Sequence, residues 1–137
     1  MQVDPEVLLI AWINANLPAT AVPRLPADYP AGSFVAGMPY VHVTHIGGAD
    51  DIPTLAELSI DLDYYAATLT AASTLARQGH HAVRYDLPGS ILTRGDMSAT
   101  VTNVRPGFLP RRDETYGNPD VCRYLSNYAI TFKTRTA

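Results

Sequence analysis

Tyr40-Val41-His42-Val43-Thr44-His45-Ile46-Gly47-Gly48-Ala49-Asp50-Asp51, followed by Leu58-Ser59-Ile60-Asp61-Leu62-Asp63-Tyr64, decides the fold. The first run is rich in β-branched and aromatic residues and predicts a strand over 40–46, closed by the two glycines. Residues 47–53 read as a polar connection, and the strand over 57–65 returns antiparallel to the first. Successive side chains of a strand point to opposite sides, so Leu58, Ile60, Leu62 and Tyr64 share one face. Ser59, Asp61 and Asp63 share the other. A sheet with one apolar and one acidic face suggests a protein that works through its surfaces.

Upstream, Asp4-Pro5-Glu6 is a helix start: an N-cap aspartate, proline at the first helical position and an acid in the first turn. The helix should end at Asn16 or Leu17, because Pro18 forbids continuation. Its interior, Val7-Leu8-Leu9-Ile10-Ala11-Trp12-Ile13, is apolar on nearly every side, whereas a surface helix normally keeps one polar face. It must be covered on more than one side, either by a long loop of its own chain or by a neighbouring subunit. We expect sister copies to shield it. Residues 21–25 read as a short edge strand, since Pro23 lacks a donor. Residues 26–39 form a Pro/Gly-rich loop that also carries Tyr29, Phe34, Val35 and Met38, side chains that need something to dock against.

Downstream, Leu69, Ala72, Leu75, Ala76, Gly79, Val83 and Leu87 recur at helical spacing. Thr68 or Thr70 suits the N-cap and Pro88-Gly89 the stop, and Gly79 is expected to permit close packing onto the sheet. A strand over 97–105 follows, then a polar loop over 106–119 holding Arg111, Arg112, Asp113 and Glu114. In the last strand Cys122, Tyr124, Tyr128, Ile130 and Phe132 share a face interrupted by Ser126, opposite Arg123, Asn127, Thr131 and Lys133. The order α-β-β-β-α-β-β predicts one α+β domain over 1–137. It should be a two-layer sandwich: a mixed or antiparallel four- to five-stranded sheet with two main helices on one face.

Composition narrows the function. The 137 residues carry 10 Lys+Arg against 13 Asp+Glu, a net charge of −3, which argues against a dedicated nucleic-acid binder. Cys122 is alone, so an intrachain disulfide is excluded and a reducing compartment is expected. The acidic opening lacks a signal peptide's basic region, and no apolar run reaches about 18 residues, so the expectation is a soluble intracellular product without a membrane partner.

No catalytic centre is legible. His42 and His45 point to opposite strand faces and His80-His81 diverge around a helix, so neither pair suits a metal ion. Asp61 and Asp63 lie about 7 Å apart by strand rise. Paired carboxylates at such a distance serve acid/base chemistry when a cleft and a shifted pKa accompany them. A solvated acidic face, or an acidic stripe that repels DNA phosphates, needs neither. Cys122 falls on the apolar face as inert core. The sequence has no G-x-S-x-G, P-loop, C-x-x-C or H-E-x-x-H. We expect no enzyme, no cofactor and no metal.

Four blocks resemble tail terminator proteins of long-tailed bacteriophages, particularly those of actinobacterial phages. They are Pro5-Glu6-Val7-Leu8-Leu9-Ile10-Ala11-Trp12; Leu25-Pro26-Ala27-Asp28 with Pro39 through Asp51; Ile60-Asp61-Leu62-Asp63-Tyr64-Tyr65-Ala66-Ala67 leading to Leu87-Pro88-Gly89; and Gly107-Phe108-Leu109-Pro110 with the Arg123-Tyr124 strand. None is a chemical motif; order and spacing carry the likeness. The resemblance implies a homo-oligomeric ring, of six subunits, that caps the tail tube, ends its polymerisation and receives the neck of the head. Such a ring touches the tail tube protein and a neck or stopper protein, lets DNA pass without specific binding, and resides in the virion after assembly in the host bacterial cytoplasm. A head-completion or stopper ring is the alternative reading; a small enzyme or a monomeric adaptor would be rivals of another class. For the ring, Trp12, Phe34 and Met38 are candidates for one subunit patch. Arg123 with Asp61 and Asp63 would supply the other, or pair within the sheet. Asp50, Asp51, Arg111 and Arg112, on loops, are candidates for tube or neck contact.

Overall fold

A computed structural model describes residues 4–25, 37–52, 55–113 and 121–134. Helix α1 (Pro5–Asn16) begins as its sequence requires: the Asp4 carboxylate accepts from the backbone N–H of Glu6 and Val7. Strand β1 (Thr20–Val22) is short and lies parallel to β2 (Tyr40–Ile52), which pairs antiparallel with β3 (Leu55–Ala66). Helix α2 (Leu69–His81), capped by the Thr68 hydroxyl, runs on through a π-helical turn (Ala82–Asp86) and stops before Gly89, whose φ is +86°. Strands β4 (Ile91–Arg94), β5 (Met97–Arg112) and β6 (Cys122–Thr134) complete an α+β fold. The six strands form one mixed sheet in the order β1-β2-β3-β6-β5-β4. None of the described helices is long and apolar enough to cross a membrane.

The sheet is larger than the four or five strands expected, for identifiable reasons. Ile91-Leu92-Thr93-Arg94 is assigned no element from sequence. It instead forms a tight hairpin with β5 around Gly95, whose φ is +60°. Gly47-Gly48 does not end β2. The ladder shifts register between His45 and Gly47 and continues to Ile52, because a bulge accommodates glycine inside a strand. Likewise Pro106 does not end β5. Strand β4 pairs only with the first residues of β5, so most of the strand has a free edge, where proline's missing N–H leaves no ladder bond unmade. Of the predicted loops, 47–52 and 106–112 are thus strand, while 53 and 114–119 lie outside the described residues. Leu69 in the first turn of α2 is exposed rather than core-facing.

The core lies on one side of the sheet. Val41, Val43, Leu58, Ile60, Leu62 and Tyr64 meet Tyr128, Ile130 and Phe132 there, with Leu8, Leu9 and Ile13 of α1 and Ala72, Leu75 and Ala76 of α2. Helix α1 packs against both β1 and β4, the outermost strands. In a flat sheet of six strands those edges would stand about 24 Å apart, more than twice the width of a helix. The sheet therefore curls around α1. Leu8, Leu9, Ile10 and Ile13 are buried within the single chain, so its own sheet covers much of the helix that sister copies are expected to shield, while Val7, Ala11 and Trp12 stay partly exposed. The part of the long loop expected over it, 26–36, lies outside the described residues.

Helix α2 approaches β3 as closely as the Gly79 reading required. A Cβ at position 79 would stand 2.5 Å from Cε1 and Oη of Tyr64, a ring that is fully buried and has nowhere to retreat. Gly79→Ala should therefore lower the unfolding midpoint in thermal denaturation. The about 1 kcal/mol gained in helix propensity is outweighed by an overpacking penalty of about 1–3 kcal/mol. A more stable variant would show that helix and sheet do not meet there.

Candidate functional site

The face of the sheet turned away from the main core carries the polar side chains. Alternation along β3 and β6 puts Asp61 opposite Asn127 and Tyr65 opposite Arg123. The Asn127 amide donates to Asp61 Oδ1 at 2.8 Å and to Ser59 Oγ at 3.1 Å, tying the two strands together side by side. Arg105 donates to Glu57 Oε1 at 3.2 Å, but both side chains are well exposed, so the pair adds at most about 1 kcal/mol.

At one end this face is not bare. Tyr40, Tyr65 and Val121 form a second small core, with Val22, Leu25 and Met38 packed against it. Arg123 lies beside it. Its Nη2 donates to Asp63 Oδ2 at 3.0 Å and its Nη1 to Asp113 Oδ2 at 3.2 Å, and its guanidinium stands 5.6 Å from the centre of the Tyr65 ring. Both carboxylates are nearly buried, with 13% and 11% side-chain exposure. Burial pushes the Asp63 carboxyl above its ordinary range, and the hydrogen bond and charge of Arg123 hold back part of that rise. Of the two possibilities for Arg123 and Asp63, pairing within the sheet is what the structure contains.

The remaining candidates separate. Trp12 is half-buried and lines a groove of about 190 Å³ between α1 and β4, with Leu8, Ala11, Ala15, Ile91, Leu92 and Thr93. Met38 packs into the small core, and Phe34 lies outside the described residues. Asp50 and Asp51 belong to β2, with Asp50 opposite Ala56. Arg111 and Arg112 end β5, opposite Leu125 and Tyr124, and both are exposed. The Arg111 guanidinium stacks 5.0 Å from the Phe108 ring centre. His42 Nε2 lies 3.2 Å from the carbonyl of Pro23, and His45 Nε2 lies 3.1 Å from that of Gly47. Among the described residues no three His, Cys, Asp or Glu side chains converge as metal ligands.

Sequence reasoning missed a polar pair at the margin of the core, between partly buried His80 and buried Tyr128. His80 Nδ1 lies 2.8 Å from the Tyr128 hydroxyl, and the two rings stack at 5.8 Å. Burial raises the Tyr128 phenol to about 12 and lowers the His80 imidazole, so two neutral groups share this hydrogen bond near pH 7. Nearby, Ser126 Oγ donates to the Leu62 carbonyl at 2.9 Å. The signal was the Tyr-x-Ser-x-Tyr alternation on the apolar face of β6. Polar tips at core positions imply partners across the packing interface. The His80–Tyr128 bond fastens α2 to the sheet, and the Ser126–Leu62 bond joins β6 to β3.

In comparisons with known proteins, no family model and no curated sequence matches the chain.

The raised Asp63 fixes a sign. A carboxyl whose folded pKa exceeds its unfolded value of 3.8 gives most stability when protonated, and that contribution is lost as pH rises through the folded pKa. Relative to Asp63→Asn, the native chain should therefore lose stability as pH rises from about 4. Urea unfolding midpoints of the two proteins, compared at several pH values, measure this. A native protein that gains on the variant over the same window would mean that the ion pair with Arg123 outweighs burial.

Proposed function

We propose that this chain is a structural subunit of a phage virion, a tail-terminator-like ring protein that caps the tail tube, ends its growth and offers the neck its docking surface. The observation that carries the reading is the order of the four resembling blocks. Mapped on the fold they fall on α1, on β2, on β3 leading into α2, and on the outer parts of β5 and β6. The likeness thus follows the framework from end to end rather than one loop. We also take the two helices and the curled sheet as a variant of the two-layer sandwich. The chemistry of the polar face supports a structural role. Asp61, Asp63, Asn127 and Arg123 spend their hydrogen bonds on one another, which fastens strands together and aims no group at a substrate.

In this reading the partners are further copies of the chain, the tail tube protein and a neck or stopper protein, with DNA passing through the ring. An excess of acids over bases suits such a passage, because it disfavours adhesion of phosphates to the wall. Purified tube protein and neck protein, offered separately in pull-down, distinguish a terminator from a stopper.

The decisive test is deletion of the coding sequence from its phage. Electron microscopy of the lysate should then show abnormally long tails without heads. Tails of normal length joined to heads would reject the proposal.

A further inference from the structure

The curled sheet covers most of α1, but the groove between that helix and β4 opens outward. Buried Leu8 and Leu92 and half-exposed Trp12 and Ile91 are among its walls, and it measures about 190 Å³. An apolar cavity of about 150 Å³ is large enough for a benzene ring, so a groove of this size takes one leucine-sized or aromatic side chain and not a helix.

The chain carries a side chain of that size. Among the described residues, the large apolar side chains left exposed outside the groove are Ile46, Leu69, Tyr85, Phe108 and Leu109. His81 and Arg84 lie against Tyr85, and Arg111 lies over Phe108. Of the three aliphatic residues Leu109 is the most exposed, at 63%. It sits where β5 shifts register against β6, between Phe108 and Arg111, so the ladder does not hold it flat. Exposed Arg112 follows three residues on and enters no ion pair among the described residues. Neither Ile46 nor Leu69 has a basic residue that close in sequence, beyond the histidine beside Ile46.

Leu109 cannot reach the groove of its own chain. Leu92 in the groove wall pairs with Ala99, and about 30 Å of bulged strand separates Ala99 from Leu109. That distance is close to the width of a domain of this length, so a second copy displaced by it touches the first without overlap. Charge sets the direction. Helix α1 and its cap hold Asp4 and Glu6 and no lysine or arginine. Asp4, Leu8 and Trp12 recur every fourth residue, on one helix face. Asp4 lies about 9 Å along the axis from the middle of the Leu8–Trp12 stretch, and Arg112 lies about 10 Å along the strand from Leu109. The two spans match. We infer that Leu109 of one copy fills the α1–β4 groove of a second copy, with Arg112 set against the second copy's Asp4. The contact joins two different patches, so it is head-to-tail, the kind of interface that generates rings. It rests on the ring reading and names a subunit contact, keeping Trp12 there and moving Arg112 from tube or neck contact to contact between copies.

Sedimentation velocity at low salt tests the contact. The native chain should self-associate and dissociate as salt rises, because Arg112 and Asp4 are exposed and one leucine is too small a contact to hold two copies alone. Leu109→Asp spoils the inserted side chain and Ile91→Asp the groove, and both positions are exposed. Each variant should associate at least about 100-fold more weakly than the native chain. Mixed in equal amounts, the two should form a 1:1 pair and nothing larger. Leu109 of the I91D chain still enters the intact groove of the L109D chain, while the other two ends are blocked. That pair also shows both variants to be folded. A native chain that stays monomeric at low salt, a variant that assembles like the native chain, or a mixture that stays dissociated or grows past the pair would each overturn the inference. The deletion phenotype is a separate readout. Long headless tails, with a native chain that fails these tests, keep the ring and reject this contact; tails of normal length with heads reject the ring, while the 1:1 pair still upholds the contact.

Discussion

The enclosure of α1 governs the rest of this fold. The helix has no polar flank to turn toward water, so the sheet must cover it from both sides. A six-stranded sheet does so only by curling until both outer strands touch the helix. The helix buries Leu8, Leu9, Ile10 and Ile13. At about 1.5–3 kcal/mol each, these side chains contribute on the order of the net stability of a whole domain, about 5–15 kcal/mol. The short strands β1 and β4 are part of this solution, since they are the lips of the sheet that meet the helix.

The enclosure has a consequence for assembly. With Leu8, Leu9, Ile10 and Ile13 buried in its own chain, the helix offers a further copy only the partly buried flank at Val7, Ala11 and Trp12. Among the described residues, the short β1 and β4 leave long parts of β2 and β5 without strand neighbours on their outer sides. On the outer face, half-buried Arg123 binds β6 to β3 and to Asp113 beyond the end of β5, a bond that positions the second small core over Tyr65. Inside, the His80–Tyr128 pair fastens α2 to β6. Polar groups in this molecule thus join elements of the sheet and helices.

Much of this was legible in residue order. Alternation in Leu58 through Tyr64 gave the two faces correctly, and Asp4-Pro5 placed the start of α1. Gly79 told of close packing, which the Tyr64 ring makes concrete. The errors share a cause. Gly47-Gly48 and Pro106 read as stops because a glycine or proline inside a strand is tolerated only at a bulge or an open edge, and neither is visible before the strands are arranged. Arg123 and Asp63 were both singled out, but their pairing needed the non-sequential neighbourhood of β3 and β6, which joins partners 60 positions apart. His80 and Tyr128 are joined across a helix–sheet packing interface, which periodicity within either element cannot reveal.

The central claim, a hydrophobic core that closes within one chain, is tested most directly by the dependence of stability on protein concentration. Thermal unfolding should be followed over a hundredfold range of concentration in high salt, where charged contacts between copies are screened. A core completed by its own sheet gives one midpoint throughout. A midpoint that climbs with concentration would mean that α1 is finished by a second molecule, and the account of this fold would fail.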